Sequence, residues 1–315
     1  MSSIGSPLLW AGFIGFVLVM LALDLGVFHK KAREVTTKEA AIWSAVWVGF
    51  AALFNVGIYA WFGADRALEF ATGYVIEKAL AVDNIFVFVI IFSTFAVSRE
   101  NQHRVLFWGV LGALAMRAGF ILAGGAFLER FHWAIYVFGG ILAVTGVKLF
   151  VQRNQTFRAD DNPAVKLFRR FLPLTDEPVG DRFIVVREGR RLATPLLLAL
   201  VAVEFTDVIF AVDSIPAIFS VTRDPFIVFT SNIFAILGLR SLYFLLANAI
   251  HKFVYLKVGL SAVLVFVGAK MLLMDVYKVP IAASLGVIAA ILGVSMLASV
   301  LRPPSRIAEP AAAEI

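Results

Sequence analysis

Six acidic side chains lie inside runs of apolar residues that are long enough to cross a membrane. Three of them fall within EFTDVIFAVDSIPAIFS (204–220), and the full set is Asp24, Glu77, Asp83, Glu204, Asp207 and Asp213. A charged side chain near the centre of a bilayer costs roughly 2.5–3.5 kcal/mol even on lenient insertion scales. The set therefore needs a compensating partner.

The basic residues in the same runs neutralise only part of this charge. Lys148 and Lys270 lie near span ends, which leaves Lys78, Arg117 and Arg240 well inside. We expect Arg117 and Arg240 to balance charge, so at most three of the six acids find a basic partner. Structural salt bridges alone are one interpretation. The other interpretation is that protons or a bound cation compensate the acids that have no basic partner. The pattern favours this second interpretation, an ion or proton pathway.

The donor atoms in these runs indicate which ions could bind. Asn84 follows Asp83 and Ser214 follows Asp213, so each acid has a neutral oxygen beside it. The chain has no cysteine, and its histidines fall at span ends: His29, His103, His132 and His251. Oxygen ligands suit Mg²⁺, Ca²⁺ and Mn²⁺, whereas Zn²⁺ and Cu⁺ favour imidazole or sulfur. Na⁺ or H⁺ with an organic substrate stays open. Asn232, also in an apolar run, is a candidate for lining the same cavity, although helix–helix hydrogen bonding is the more common role of such a residue.

Short motifs recur in the two halves of the chain. AVDNI (81–85) returns as AVDSI (211–215), and GVKL (146–149) returns as GAKM (268–271). The register of the first motif pairs Asp83 with Asp213, and Glu77 with Asp207 six residues earlier. An arginine in an apolar run follows each motif, Arg117 in the first copy and Arg240 in the second. The chain therefore contains an internal repeat.

Each copy of the repeat, 68–151 and 194–274, covers three predicted helices. Because three is an odd number, the second copy is inverted in the membrane relative to the first. Inverted repeats are a transporter architecture that places the substrate site near the bilayer midplane. Pro216 follows the second motif and has no N–H, so it should interrupt its helix and free the carbonyl of Val212 as a further oxygen ligand.

The composition predicts the fold class. The chain is 61% hydrophobic and 16% charged, against roughly 45–50% and 25% in globular domains. We therefore predict an all-α polytopic membrane protein. Nine transmembrane helices can be drawn, near 7–28, 41–62, 68–97, 104–124, 133–151, 194–221, 226–250, 256–274 and 279–301.

The basic residues predict the orientation of these helices. Lysine and arginine concentrate in the segments that face the cytoplasm if the N-terminus is outside, so the positive-inside rule gives N-out and C-in. The net charge of +6 belongs to these loops and does not indicate a nucleic-acid partner.

One sizeable soluble segment, 152–193, separates helices 1–5 (1–151) from helices 6–9 (194–301). Its residues 163–174 predict a basic amphipathic helix on the inner leaflet. Residues 181–194 predict a β-hairpin with a turn at Glu188-Gly189. The tail, 302–315, has a composition typical of disorder.

Two stretches resemble a known family. EKALAVDNIFVF (77–88) and EFTDVIFAVDSIPAIFSVTRDPFIVFTSNIFAILGLRSLYFLL (204–246) closely resemble the TerC family, in particular its Alx-type branch, and the resemblance covers roughly residues 7–300. The family is similar to the lysine-exporter superfamily, which is built on three-helix repeats. The resemblance implies a manganese exporter of the bacterial inner membrane. Older labels of the family refer to tellurite resistance or redox modulation, and a direct redox role is hard to support in a chain that has no cysteine.

The resemblance also implies which residues bind the ion. It places the metal ligands and their neighbours at Glu77, Asp83, Asn84, Glu204, Asp207, Asp213 and Ser214, with Asp24 as a further candidate.

We therefore expect a secondary transporter that exports Mn²⁺ or another hard divalent cation, with proton exchange as the candidate coupling. The expected partners are the ion, protons and the lipid bilayer. We expect neither enzymatic activity nor a resident cofactor. Two alternatives stay open: a non-transporting membrane scaffold of the stress response that uses residues 152–193, and an exporter of a small organic solute.

Overall fold

The structure is a computed structural model that describes residues 3–28, 36–131, 133–151, 173–175, 179–187, 189–247, 255–277 and 279–301. Within these ranges the side chains at 23–28, 83, 86, 125, 126, 128, 129 and 213 are not described. The described part is mostly helical and contains one small β-hairpin. The predicted all-α class is confirmed.

Ten helices follow one another in the described residues, and each lies in a predicted span: α1 (Pro7–Phe28), α2 (Thr37–Phe62), α3 (Ala64–Thr94), α4 (Arg99–Arg130), α5 (Ala134–Val151), α6 (Pro195–Phe219), α7 (Pro225–Leu237), α8 (Leu239–Leu246), α9 (Leu256–Leu272) and α10 (Ile281–Leu301). Helices α7 and α8 share one predicted span, which bends by 40° between them.

Within the described residues, five helices are long and apolar enough to cross a membrane, and the bent α7–α8 pair makes a sixth. The five are α2, α4, α5, α6 and α10. The polytopic membrane architecture is therefore confirmed, whereas the count of nine spans, the inverted repeat and the orientation stay predictions.

Local signals in the sequence fix several helix starts. The Thr36 side chain accepts a hydrogen bond from the Glu39 N–H at the start of α2, and the Asp224 side chain accepts one from the Phe226 N–H at the start of α7. Each satisfies an N–H that the helix cannot use. Pro195 and Pro225 stand in the first turns of α6 and α7, where proline removes no helical hydrogen bond.

Helices α3 and α6 form the centre of the bundle. Helix α3 packs against α6, α7 and α2, and α6 packs against α4 as well. Apolar side chains from these helices, among them Ile76, Ile121, Ala211 and Val228, are buried in one cluster. Polar side chains on the inward faces of α3, α4 and α6 are therefore held away from both lipid and water.

Small residues bring α5 and α9 into close contact. A Cβ added to Gly268 would lie 2.6 Å from the Ala143 nitrogen and 2.7 Å from the Gly139 oxygen, and one added to Gly146 would lie 2.8 Å from the Ser261 oxygen. Helices in a bilayer gain stability from such backbone approach, because lipid offers no hydrophobic drive for association.

Pro216 does not break its helix, contrary to the prediction. Helix α6 continues through Pro216 and ends at Phe219. Pro216 lies close to the end of α6, so few helical turns follow that its ring could disrupt. The discontinuity lies instead at Gly238, between α7 and α8. Pro216 still has no N–H to donate to the Val212 carbonyl.

A β-hairpin lies within the segment where the sequence predicts one. Strands β1 (Ile184–Arg187) and β2 (Arg190–Ala193) pair antiparallel, and Gly189 in the turn has a φ of +74°. The hairpin region is joined to the start of α4: Asn101 donates a hydrogen bond to the Gly180 carbonyl at 3.0 Å, and Arg104 forms an ion pair with Asp181. The predicted amphipathic helix at 163–174, apart from its last two residues, and the tail at 302–315 lie outside the described residues.

The α5–α9 contact predicts the effect of one methyl group. Gly268→Ala should lower the stability of the detergent-solubilised protein by about 1–3 kcal/mol, because the new Cβ cannot be accommodated without moving α5. Gly286→Ala on α10 is the matched control, since a Cβ there meets nothing within 4 Å. The check is the midpoint of thermal unfolding of both variants. Equal midpoints would contradict the packing of α5 on α9.

Candidate functional site

Arg117 of α4 is buried and joins two acids on different helices. Its guanidinium forms an ion pair with Glu77 of α3. It also binds Asp207 of α6 with two hydrogen bonds, from Nε to Oδ2 at 3.2 Å and from Nη2 to Oδ1 at 3.0 Å. All three side chains are buried, with at most 3% of their surface exposed. We call Glu77, Arg117 and Asp207 the central triad.

Two neutral side chains complete the surroundings of the guanidinium. Arg117 Nη1 lies 3.3 Å from Ser214 Oγ on α6 and 3.4 Å from Asn232 Oδ1 on α7. The triad and its neighbours thus connect α3, α4, α6 and α7. Sequence reasoning offered Asn232 as a cavity-lining residue but favoured helix–helix hydrogen bonding. A polar residue in an apolar run was the available signal, but its proximity to Arg117 depends on the tertiary fold.

The central triad carries an excess of negative charge. With both acids ionised, two negative charges face one positive charge, and the described contacts of the two acids include no second base. An uncompensated charge in a dry, low-dielectric interior is strongly unfavourable. The site is therefore suited to taking up a proton or a cation.

A cavity of about 120 Å³ opens beside the triad and is lined by residues of α3, α4, α5, α6 and α9. Its polar lining consists of Glu77, Asn84, Arg117, Thr145 and Ser214. Because a water molecule occupies about 30 Å³ of the liquid, the cavity has room for an ion and a few small ligands. Thr145 was not among the predicted site residues.

Two buried oxygens of the cavity lining have no hydrogen-bond partner within the described part of the chain. They are Glu77 Oε2 and Asn84 Oδ1, and both residues are at most 2% exposed. Buried polar atoms in native proteins are nearly always paired, so each such atom needs an explanation. A ligand that supplies positive charge or donors would provide it.

Glu204 lies apart from the cavity, between α6 and α4. It is half-buried, and its carboxyl group occupies the space that a side chain at Gly112 would fill. Among the described residues its Oε2 has no hydrogen-bond partner. Glu204 precedes Asp207 by three residues, so the two acids lie on neighbouring parts of one helix face.

For some of the other predicted residues only the backbone is described, and the rest lie outside the triad. Asp83 directly precedes Asn84 in α3, and Asp213 directly precedes Ser214 in α6, but their side chains, like that of Asp24 in α1, lie outside the described set. Arg240 is buried near the start of α8. Among the side chains that are described, no three histidine, aspartate or glutamate residues are grouped to hold a metal.

Lys78, the third basic residue predicted to lie well inside, contacts a backbone carbonyl. Its Nζ donates a hydrogen bond to the Ala235 carbonyl at 3.2 Å. Ala235 lies in the last turn of α7, where the carbonyls lose their helical donors at the bend. Gly238 makes room for the ammonium group, because a Cβ there would lie 2.9 Å from Nζ. Lys78 therefore stabilises the break between α7 and α8.

Comparisons with known proteins identify relatives along most of the chain. The family described as "Integral membrane protein TerC family" matches residues 62–306. An uncharacterised membrane protein of Myxococcus xanthus is 61% identical over 300 residues, which is 95% of this chain and 94% of the relative. A protein of Escherichia coli strain K12, named Alx and described provisionally as a membrane-bound redox modulator, is 48% identical over 302 residues, 93% of this chain and 94% of the relative. No solved structure matches the chain.

The burial of the triad predicts a large effect of removing its one positive charge. In metal-free protein, Arg117→Met should lower the free energy of unfolding by about 3–5 kcal/mol, because two buried carboxylates lose their counter-ion. The triple variant Glu77→Gln, Arg117→Met, Asp207→Asn should recover most of this loss.

The control for this prediction is Arg66→Met. Arg66 forms a more exposed ion pair with Glu69 at 2.9 Å, and the loss of such a pair should cost about 1 kcal/mol or less. The measurement is unfolding by denaturing detergent. Similar losses in Arg117→Met and Arg66→Met would contradict the buried triad.

Proposed function

We propose that this chain, which belongs to the TerC family of integral membrane proteins, is a secondary transporter that exports a hard divalent cation, with Mn²⁺ as the expected substrate. It is a multi-pass protein of the bacterial inner membrane. The observation that carries the proposal is a buried cavity lined by carboxylate, amide and hydroxyl oxygens, beside a triad with more acid than base.

The donor atoms of the cavity support a hard cation as the substrate. Glu77, Asn84, Thr145 and Ser214 offer oxygen only, and the chain has no cysteine. Such ligands suit Mg²⁺, Ca²⁺ and Mn²⁺. Asp83 and Asp213, each next to a cavity-lining residue in its helix, stay further candidate ligands of the ion in this proposal.

Reciprocal packing of α5 and α9 supports the inverted repeat on which transport by alternating access would depend. The repeat register that equates Gly146 with Gly268 also equates Gly139 with Ser261. In the structure Gly139 faces Gly268, and Gly146 faces Ser261. Each contact is the image of the other under this register, as a two-fold axis between the repeats requires.

The proposed cycle uses the acids in two ways. An ion that enters from the cytoplasm binds in the cavity to Glu77 and the oxygens around it. Glu204, in its space beside Gly112, serves as an acid on the access path or as a proton acceptor. When the site opens to the outer face, protonation of its carboxylates would weaken their binding of the ion and release it. The cycle therefore exchanges metal for protons.

Transport is favoured over a redox activity of the protein itself. The name of the Escherichia coli relative refers to redox modulation, but this chain has no cysteine that could cycle between thiol and disulfide. An effect on redox state could follow indirectly from a change in cellular metal. We also propose that the chain is not an enzyme and has no resident cofactor.

Flux measurements test both the function and the site. Everted membrane vesicles that contain the wild-type protein should accumulate Mn²⁺ above vesicles without it. Glu77→Gln should reduce this uptake on the order of tenfold or more, because one charged ligand of the ion is lost. Asp65→Asn, an exposed acid on the same helix, is the matched control and should transport normally.

The outcomes separate the alternatives. Absence of Mn²⁺ uptake in wild-type vesicles would overturn the export function and favour a scaffold. Uptake by Glu77→Gln equal to that of the wild type would overturn the site. Competition of Mn²⁺ uptake by a small organic solute would favour the organic exporter.

A further inference from the structure

We infer that Arg117 is a tethered counter-cation: its guanidinium occupies the carboxylates of Glu77 and Asp207 in the ion-free protein, and the transported ion displaces it. The inference rests on the proposed function and assigns a role to a residue that the sequence predicts only to balance charge. In this inference, the transported metal ion and the guanidinium of Arg117 replace each other at the two carboxylates during the transport cycle.

The contacts of Arg117 show that it uses the same oxygens that an ion would need. The guanidinium engages three of the four carboxylate oxygens of the two acids, namely Glu77 Oε1, Asp207 Oδ1 and Asp207 Oδ2. The fourth, Glu77 Oε2, has no hydrogen-bond partner among the described residues. A divalent ion that takes both carboxylates as ligands therefore competes directly with Arg117.

Charge also favours displacement over simultaneous occupancy. With Arg117 in place, an ion bound to the same two carboxylates would lie directly beside the guanidinium. The guanidinium and the ion would repel each other at short range. If the guanidinium moves aside, both carboxylates can face the divalent ion directly, and the two cations are separated.

Neutral acceptors beside the triad provide a place to which the guanidinium can withdraw. Ser214 Oγ and Asn232 Oδ1 already lie 3.3 and 3.4 Å from Nη1, longer than a good charge-assisted hydrogen bond. Asn232 is fully buried and belongs to α7, the helix that ends at the Gly238 bend. These two acceptors would hold the guanidinium once the ion takes the carboxylates, and the burial of Asn232 keeps the cation away from lipid.

Displacement has a consequence for release of the ion. When the guanidinium returns to Glu77 and Asp207, it expels the ion and compensates the acids that the ion leaves behind. Protons are then required only for the acids that Arg117 does not reach. A merely structural salt bridge predicts the opposite behaviour, because its removal would distort the site and weaken binding of the ion.

The test is the affinity of the purified full-length protein for Mn²⁺, measured by equilibrium dialysis. Arg117→Gln should bind Mn²⁺ about tenfold or more tightly than the wild type, because the internal competitor is gone. Arg117→Lys retains the charge but not the bidentate contact, so its affinity for Mn²⁺ should fall between those of the wild type and Arg117→Gln. Uptake into everted vesicles should decrease in Arg117→Gln even though binding is tighter, because the ion is not expelled. Arg66→Gln should match the wild type in both assays.

A second measurement applies if Arg117→Gln is unstable without metal. Mn²⁺ should raise the midpoint of thermal unfolding more in Arg117→Gln than in the wild type, since the ion replaces the missing charge. Unchanged or weaker Mn²⁺ binding in Arg117→Gln would overturn the inference. If that variant is too unstable for dialysis, unchanged or weaker binding in Arg117→Lys, together with no larger thermal shift in Arg117→Gln, would overturn it. If the wild type itself neither binds nor transports Mn²⁺, the proposed function fails, and the inference fails with it. If the wild type transports Mn²⁺ and only the Arg117 results fail, the proposed function stands alone.

Discussion

Burial of unequal charge is the constraint on which the rest of the structure depends. Glu77, Arg117 and Asp207 come from three helices, and their charges cannot be left in lipid or in a dry core without one another. Helices α3, α4 and α6 must therefore stay in register around a single guanidinium. The same constraint gives the site its chemistry, because two acids and one base leave a negative charge that a cation can neutralise.

The surrounding helices protect this centre and allow it to change. Helices α5 and α9, which approach closely through small residues, both contribute side chains to the lining of the cavity. On another side, the bend between α7 and α8 lies where Lys78 donates to the Ala235 carbonyl. A closely packed helix pair and a broken helix thus border the same central helices. Transporters commonly combine such elements, since the ion site must stay intact while its access changes.

The sequence predicted the elements and the residue types of the site more completely than their contacts. The acids were evident because a charge in an apolar run has few explanations, and the repeat register paired Glu77 with Asp207. That both acids share Arg117 depends on how the helices pack, which periodicity along one helix does not determine. The bend was predicted at Pro216 but lies at Gly238, because a proline near a helix end disrupts little, whereas Gly238 accommodates Lys78. Thr145 and Asn232 are ordinary polar residues in sequence, and only the tertiary structure brings them to the cavity and to Arg117.

The central claim is that a divalent cation binds inside the membrane at the carboxylates around Arg117. The most direct measurement is anomalous X-ray scattering at the manganese absorption edge from crystals of the protein loaded with Mn²⁺. The account predicts an anomalous peak in the cavity bordered by Glu77, Asn84 and Ser214, coordinated by oxygen. Saturating Mn²⁺ with no peak in this cavity, or with peaks only at acids outside the membrane-spanning helices, would contradict it.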